Sequence, residues 1–228
     1  MKFHENSDEL PMRNRVVFVL NMDANGLGIS RGLGRIGIPV VGIDFKSGSP
    51  GLRSRYVRPL VCADPVTESD KVLDLLIDEG SRLDETGIIF PTSDAFLLML
   101  SRNRKRLEDL FDFIIPPEKI IEGMINKSIQ YREATRLGIP IPETYFPGSM
   151  DELNQIARDI PYPAIIKPLY SHLWFAKFGN KGFKVRNPEE LKEKFRRAFD
   201  SGLIALVQSC IVGPNTNHVK VCAYYGND

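Results

Sequence analysis

Short apolar runs alternate with amphipathic stretches through the first half of the chain. Val16–Asn21 and Pro39–Asp44 are continuous apolar runs rich in β-branched residues, which is typical of strands buried on both faces. Residues 23–37 between them are predicted as a helix that ends at Gly37. A strand, a helix and a strand within about thirty residues form the unit from which parallel sheets are built.

The same alternation continues as far as Pro116 and Pro117. The predicted elements are helices over Pro65–Gly80 and through Phe96–Leu100, and strands over Gly87–Pro91 and Phe111–Ile115. Strands that alternate with helices imply a parallel sheet with helices on both faces. We therefore predict an α/β fold, with a Rossmann-like domain over residues 15–118 and a flexible polar tail over residues 1–14.

Beyond residue 118 the pattern indicates a mixed α+β domain over residues 119–228. Helices are predicted over Glu118–Leu137, Met150–Ile160 and Pro188–Asp200. Strands are predicted over Glu143–Phe146, Ala164–Lys167, Phe183–Val185, Ala205–Gln208 and His218–Tyr225. The stretch between the strands that end at Lys167 and begin at Phe183 is predicted as a long loop.

Composition excludes several classes of function. The net charge is +1, so no overall field favours nucleic acid or an anionic membrane surface as a partner. No apolar run approaches the roughly 20 residues of a membrane helix, and the N-terminus lacks the apolar stretch of a signal peptide. The widely spaced cysteines (Cys62, Cys210 and Cys222) are expected to be reduced thiols of a cytoplasmic protein, and they form no zinc motif with the histidines.

The glycines of Asn25–Gly32 follow a buried strand, where a backbone can approach a ligand at a helix N-terminus. Gly26 and Gly28 match the start of a dinucleotide fingerprint, but Arg31 occupies the position of its third glycine. Arg31 can instead grip a carboxylate or a phosphate. Asp44 stands where a ribose-binding acid would be. A tight turn with no ligand explains the glycines equally well.

Thr92, Ser93 and Asp94 follow another predicted strand of the same sheet. They therefore lie at the carboxyl edge of the sheet, where open α/β folds bind ligands. Simple capping of the next helix is the alternative interpretation, and the local residues favour it.

The second domain contains a lysine at the end of an apolar strand. Lys167 follows Ile165 and Ile166, so its stem can stay buried while its ammonium reaches an anion. The Phe178–Gly182 segment can fold over that anion and offer backbone N–H groups. A hairpin with a surface lysine is the alternative. Gln208 lies inside a buried run, so its amide requires hydrogen-bond partners.

These features occur in an informative order along the chain. A Rossmann-like domain comes first, then Lys127 at a helix start, then LGIPIPETYF, YPAIIKP with Lys167, a Gly/Lys loop, and LVQSCIVGPN. This order resembles the ATP-grasp superfamily, and within it the carboxylate–amine ligases similar to D-aspartate ligase and the large-subunit halves of carbamoyl-phosphate synthetase. The resemblance covers the chain from about Arg15 to its end. It implies a pre-ATP-grasp domain followed by an ATP-grasp domain, with a lid subdomain at about residues 143–209 and the C-terminal part missing.

The resemblance also implies a set of binding residues. ATP phosphates would be contacted by Lys127, Lys167 and a mobile flap that contains Gly179, Lys181 and Gly182. Adenine would face Gln208 and the backbone of Ser209, Cys210 and Ile211. A small carboxylate substrate would be held by Gly26, Gly28, Arg31, Thr92, Ser93 and Asp94.

The implied activity is an ATP-dependent ligase that converts a carboxylate to an acyl phosphate for attack by an amine or another nucleophile. Ser209 stands where many members have an acid, and residues 214–217 lack the usual ribose-binding carboxylate. The family's Mg²⁺ ligands lie beyond Asp228, so none is expected within this chain. The missing half would come from a longer gene product or a partner, and a homo-oligomer is a further possibility.

Two alternatives remain open at the level of the sequence. One is a degenerate or truncated ATP-grasp module that binds a nucleotide without catalysis, which the absence of the metal ligands favours. The other is an NAD(P)-binding Rossmann oxidoreductase that uses Asn25–Gly32 and Asp44, against which Arg31 argues.

Overall fold

The computed structural model describes residues 15–221, without the side chains of His172 and Asn215. The chain forms two compact units that divide between Ile125 and Asn126. The tail predicted over residues 1–14 lies outside the described residues, as does the second half of the strand predicted over His218–Tyr225. Residues 218–221 of that predicted strand are described and are not in a strand, so the prediction is wrong for them.

The first unit is built on a five-stranded sheet with the order β3-β2-β1-β4-β5, in which every described pair is parallel. Its elements are β1 (Val17–Leu20), α1 (Ala24–Arg35), β2 (Val40–Asp44), a 3₁₀ helix (Pro50–Arg53), β3 (Val57–Val61), α2 (Ser69–Gly80), β4 (Gly87–Pro91), α3 (Asp94–Arg102), α4 (Arg104–Leu107), β5 (Phe111–Asp112) and α5 (Glu118–Ile125). The predicted parallel α/β sheet is thus confirmed.

Strand β1 lies in the centre of this sheet and is buried on both faces. Val17 and Val19 pack with the partly buried Ile29 and Leu33 of α1 on one face. Between them along the strand, Phe18 meets Phe111 of β5 edge to face, with 5.0 Å between the ring centroids. Apolar side chains on every position of a short strand are what two covered faces require.

The strand order reverses between β1 and β4, which makes this edge of the sheet a topological switch point. The two strand ends are tied together directly. The Thr92 hydroxyl donates to the Asn21 carbonyl over 2.6 Å, and Asn21 Nδ2 lies 3.3 Å from Thr92 Oγ1. Asn21 has a φ of 72°, a left-handed conformation that asparagine tolerates better than most residues.

The pattern of the sequence failed to predict strand β3. Its apolar positions are interrupted by Arg58 and Pro59, and proline is excluded from the interior of most sheets. In the structure β3 is an edge strand and pairs only with β2 among the described strands. An edge strand has one side free of ladder hydrogen bonds, so Pro59 is tolerated there.

The second unit contains a four-stranded antiparallel sheet with the order β6-β9-β7-β8. Its elements are α6 (Lys127–Arg136), β6 (Thr144–Tyr145), α7 (Met150–Asp159), β7 (Ala164–Pro168), α8 (Ser171–Phe178), β8 (Phe183–Val185), α9 (Pro188–Phe199), β9 (Ala205–Ser209) and a 3₁₀ helix (Asn215–Asn217). Helices α7 and α9 contribute Leu153, Ala157, Leu191 and Phe195 to the core that covers one sheet face. No helix among the residues described in either unit is long and apolar enough to cross a membrane.

Two predictions about helices in this part of the chain are wrong. The helix predicted over Glu118–Leu137 is two helices, because Asn126 adopts an extended conformation and its side chain caps α6 by accepting from Ser128 N–H. The loop predicted after Lys167 contains α8, which is rich in aromatic residues and has no side-chain cap at Tyr170. Aromatic residues have modest helix propensity, so the local sequence gives little sign of this helix.

Gly26 and Gly28, predicted to form a ligand-binding turn, both lie inside α1. A β-carbon on Gly26 would lie 2.2 Å from the Asn21 carbonyl oxygen, whereas one on Gly28 would meet nothing within 4 Å. Gly26 is therefore required for the close approach of α1 to the end of β1, and Gly28 is not.

These surroundings predict opposite effects for two matched substitutions. Gly26→Ala should lower the free energy of unfolding by roughly 1–3 kcal/mol, because the new methyl group overpacks against backbone. Gly28→Ala should raise it by about 0.5–1 kcal/mol, because alanine favours the helix. Urea denaturation of both variants measures the difference. Equal effects of the two substitutions would contradict the packing role of Gly26.

Candidate functional site

In the second unit, alternate residues of the strands β7 and β9 point either to the core or to the opposite face of the sheet. Ala164 and Ile166 of β7 and Ala205 and Val207 of β9 belong to the core under α7 and α9. Because alternate residues of a strand point to opposite faces, Ile165, Lys167, Leu206 and Gln208 share the other face. The strands β7 and β9 are direct neighbours, and Ile165 pairs with Gln208.

Lys167 and Gln208 form the centre of this face. Lys167 Nζ donates to Gln208 Oε1 over 2.6 Å, and the Tyr131 hydroxyl lies 3.4 Å from the same oxygen. Gln208 is only 3% exposed, so its amide depends on protein partners. The prediction that Gln208 needs partners is confirmed, since Lys167 supplies one of them.

The orientation of the Gln208 amide follows from its neighbours. Lysine can only donate, so the oxygen of the amide faces Lys167. On the other side, the Thr144 hydroxyl donates to the Pro142 carbonyl over 2.7 Å and accepts from Gln208 Nε2 over 2.7 Å. The contacts with Lys167 and Thr144 therefore agree on which atom of the Gln208 amide is the oxygen and which is the nitrogen.

Lys167 has no counter-charge among the described residues. Within residues 15–221, no carboxylate lies within salt-bridge distance of its ammonium, although the residue is half-buried. A neutral amide compensates the desolvation of a cation less well than an anion does. The geometry therefore leaves a positive group prepared for an anionic ligand.

Lys127 lies at the first position of α6 and contacts the segment that follows β7. Its Nζ lies 2.9 Å from Ser171 Oγ, and Asn126 Nδ2 donates to the Tyr170 hydroxyl over 3.1 Å. A helix N-terminus carries partial positive charge, so a lysine there gains nothing from the helix dipole. Lysine and helix end together favour an anion at this place.

Of the predicted adenine-binding segment, two backbone donors are already used within the sheet. Ser209 N–H donates to the Glu143 carbonyl and Cys210 N–H to the Pro163 carbonyl, each over 2.9 Å. Ile211 N–H has no partner among the described residues, and its side chain is 84% exposed. A ligand would therefore find the free N–H at Ile211.

The predicted flap residues lie between α8 and β8. Gly179 ends α8 in the left-handed conformation with a φ of 66°, and Lys181 is exposed. Gly182 has a φ of 150°, and a β-carbon there would lie 2.5 Å from the Ile166 carbonyl oxygen. This loop therefore packs closely against β7 one residue before Lys167.

The first unit holds the other predicted ligand residues. Arg31 is exposed on α1, and Asp94 is exposed at the start of α3. Ser93 is the N-cap residue of α3 in an extended conformation, but its side chain makes no capping hydrogen bond. Thr92 bonds to the end of β1, as described above, so the structure brings Thr92 together with Asn21.

Asp44 has a structural task in the first unit. It is fully buried, and its carboxylate accepts from Met22 N–H over 2.6 Å and from Lys46 N–H over 3.0 Å. A carboxylate that stabilises the turn after β1 in this way is not exposed to a ribose hydroxyl. This placement removes the main support for a dinucleotide site.

The described residues contain no cluster of metal-binding side chains. No group of three or more His, Cys, Asp or Glu side chains that could hold an ion occurs in the described part of the chain. Mg²⁺ prefers carboxylate and other oxygen ligands in octahedral geometry. The residues at Lys167, a cation and an amide, therefore do not fit a magnesium site.

Sequence reasoning missed three residues that complete the site. Tyr131 and Thr144 contact Gln208, and Ser171 contacts Lys127. The sequence predicts the strand that contains Thr144, but its contact with Gln208 joins residues 64 positions apart and has no local signal. The contacts of Tyr131 and Ser171 join residues 77 and 44 positions apart and depend on the tertiary fold.

Comparison with known proteins identifies the fold. No family model matches the sequence. The formate-dependent phosphoribosylglycinamide formyltransferase of Ignicoccus hospitalis is 25% identical over 170 residues, which cover 73% of this chain and 38% of that protein. The chain thus spans well under half the length of this curated relative.

Solved structures show the same partial coverage. The L-amino acid ligase of Bacillus licheniformis superposes with a TM-score of 0.65 at 17% identity, over 89% of this chain and 45% of that one. The biotin carboxylase domain of 2-oxoglutarate carboxylase from Hydrogenobacter thermophilus, solved with MgADP and bicarbonate, gives 0.62 at 21% identity, over 86% and 44%. The predicted likeness to ATP-grasp ligases is confirmed at the level of the fold.

The hydrogen bonds of Gln208 predict that Thr144→Val destabilises the protein by about 1–3 kcal/mol, because it leaves a buried amide N–H without an acceptor. Thr135→Val is the matched control, since within the described part of the chain the exposed Thr135 hydroxyl bonds only to the Tyr131 carbonyl of its own helix. That change should alter stability by less than about 0.5 kcal/mol. Chemical denaturation of both variants checks this, and equal losses would argue against the stabilising hydrogen bond between Gln208 and Thr144.

Proposed function

We propose that this chain, which has the fold of the N-terminal part of ATP-grasp ligases, binds ATP through its second unit as part of a carboxylate-activating ligase. The observation that carries the proposal is Lys167, a half-buried cation whose described partner is the neutral amide of Gln208. ATP supplies the anion that this lysine lacks.

Phosphate binding at Lys167 would replace one hydrogen bond with a stronger one. The ammonium donates in both bonds, but a phosphate oxygen carries negative charge, so its bond to Lys167 adds the attraction between opposite charges. The exchange is favourable because Gln208 holds the lysine without a full opposite charge. Lys127 and the N-terminus of α6 would contact the phosphates from a second side, and Lys181 would contribute from the loop before β8.

The same movement of Lys167 would also make Gln208 available to the adenine ring of ATP. When Lys167 moves to a phosphate, the oxygen of Gln208 regains a free lone pair. That oxygen can accept from the exocyclic amino group of adenine, while Ile211 N–H can donate to a ring nitrogen. Thr144 keeps the amide in the orientation that this recognition needs.

The reaction we propose is attack of a substrate carboxylate on the γ-phosphate of ATP, which releases ADP and gives an acyl phosphate, from which a nucleophile then displaces inorganic phosphate. The cations of this chain would stabilise the charge that spreads over the phosphoryl oxygens. Formate, an amino acid and bicarbonate, named for the three similar proteins above, are all small carboxyl compounds. Arg31 is our candidate for binding such a group.

The remaining substrate contacts and the metal are also proposals. In the first unit, Gly28 and the Thr92–Asp94 edge would lie beside the carboxylate, whereas Gly26 is engaged in packing. Mg²⁺, which the carboxylase domain holds with ADP, would be bound by segments that the relatives possess beyond the matched region. Those segments would belong to the same polypeptide or to a partner copy.

ATP binding is tested by isothermal titration of the protein with a non-hydrolysable ATP analogue. Lys167→Ala and Lys127→Ala should each weaken the affinity by roughly 10- to 100-fold, because each removes a charge-assisted contact worth about 1.5–3 kcal/mol. A ligand at one hundred times its dissociation constant should add about 2.7 kcal/mol of stability to the unsubstituted protein.

Lys192→Ala controls for the loss of charge, since Lys192 lies on α9 at the opposite face of the sheet. It should bind the analogue with unchanged affinity. Absence of binding to the unsubstituted protein, or equal affinities in all three lysine variants, would refute the proposed site.

A further inference from the structure

A buried tryptophan anchors the loop that precedes β8. Trp174 of α8 is fully buried, and its indole N–H donates to Asn180 Oδ1 over 2.9 Å. Buried tryptophans usually find such a partner for the indole nitrogen. Here the partner lies on the Gly179–Gly182 loop itself.

Asn180 makes three hydrogen bonds that span this loop. Its Oδ1 also accepts from Gly182 N–H over 3.0 Å, and its Nδ2 donates to the Phe178 carbonyl over 3.3 Å. Every partner requires the same orientation of the amide. One side chain therefore connects α8 to the last residue of the loop.

The foundation of the loop is an aromatic cluster. Trp174, Phe178 and Phe183 lie with ring centroids 4.8–5.1 Å apart. The guanidinium of Arg197 on α9 lies 5.1 Å from the Phe178 ring and 5.5 Å from the Phe183 ring. These contacts fix the base of the loop to the core, in contrast to a flap of glycines alone.

The hydrogen bonds leave selected backbone donors of the loop available. Gly179 N–H donates to Phe175 and Gly182 N–H to Asn180, whereas the N–H groups of Asn180 and Lys181 have no partner among the described residues. Successive free N–H groups form a concavity that attracts anions. The loop packs on β7 beside the residue that precedes Lys167, as the close contact of Gly182 with Ile166 shows.

We propose that Asn180, held by Trp174, is the positioning residue that presets this loop for the terminal phosphates of a nucleoside triphosphate. The inference rests on the proposed function and deepens it. A preset loop loses less conformational freedom on binding than a flexible one, so its benefit appears as phosphate affinity. The lid of this site is therefore ordered before the ligand arrives.

The first arm of the test examines the free protein. Trp174 is the single tryptophan of the chain, so the tryptophan fluorescence reports on the surroundings of this residue alone. Asn180→Ala should shift its emission to longer wavelength and increase its quenching by acrylamide. Asn187→Ala removes a different asparagine that caps α9 through Glu190 N–H, and it should leave the emission unchanged. Unaltered emission in Asn180→Ala would overturn the proposal.

The second arm compares the dissociation constants of AMP-PNP and AMP. Asn180→Ala should weaken AMP-PNP about tenfold, a change equivalent to about 1.4 kcal/mol, and leave AMP within about twofold. Trp174→Phe should act in the same direction, and the double variant should be no weaker than Asn180→Ala, because both remove one contact. Asn187→Ala should change neither constant.

Each result has a distinct meaning. Equal weakening of AMP and AMP-PNP in Asn180→Ala would show a merely structural role and overturn the positioning role. Unchanged AMP-PNP binding in Asn180→Ala would do the same while leaving the proposed function intact. A protein without substitutions that binds neither nucleotide would overturn the proposed function and the positioning role together.

Discussion

The hydrogen bond between Lys167 Nζ and Gln208 Oε1 joins neighbouring antiparallel strands on the sheet face opposite α7 and α9. The bond gives the buried amide oxygen of Gln208 a donor, and it gives the half-buried ammonium of Lys167 a neutral partner. A carboxylate at position 208 would hold the lysine by full charge attraction. The amide holds it by a weaker bond, so the lysine stays available to a stronger anionic ligand. The contacts of Thr144 and Tyr131 serve this arrangement, because they fix the amide that receives the lysine.

Two parts of the second unit are thus held in place by side-chain hydrogen bonds. The first is the Gln208 amide, whose oxygen and nitrogen both have side-chain partners. The second is the loop before β8, which is held by Asn180 over an aromatic cluster. Both are polar contacts set on an apolar core, and unsatisfied groups at either place would cost free energy. Order in the free protein reduces what a ligand must supply in ordering the site.

The parts of the candidate site that lie within a single strand are predictable from the sequence. The alternation Ala164, Ile165, Ile166, Lys167 places the lysine opposite the core side chains, and the buried run around Gln208 signals an amide that needs partners. Tyr131 and Thr144 lie 77 and 64 residues from Gln208, so no local pattern links them to it. The roles assigned to Lys127, Lys181 and the Ser209–Ile211 segment came from the family resemblance and remain proposals.

The fold likewise has elements that the local sequence predicts and elements that it does not. Strands buried on both faces, such as β1 and β2, are predictable because every position is apolar. Strand β3 is not, because Pro59 and Arg58 are compatible with a strand only at a sheet edge, which is a property of the whole sheet. Gly26 and Gly28 look alike in the sequence, and only the approach of α1 to Asn21 distinguishes them. Helix α8 depends on the burial of Trp174, a tertiary contact that outweighs weak propensity.

A crystal structure of the protein with AMP-PNP and Mg²⁺ tests the central claim most directly, because it shows which atom Lys167 contacts when a nucleotide is present. Our account predicts that Lys167 Nζ leaves Gln208 Oε1 for a phosphate oxygen and that the Gln208 oxygen then faces the amino group of adenine. A structure in which the nucleotide is bound elsewhere, with Lys167 still donating to Gln208, would contradict it.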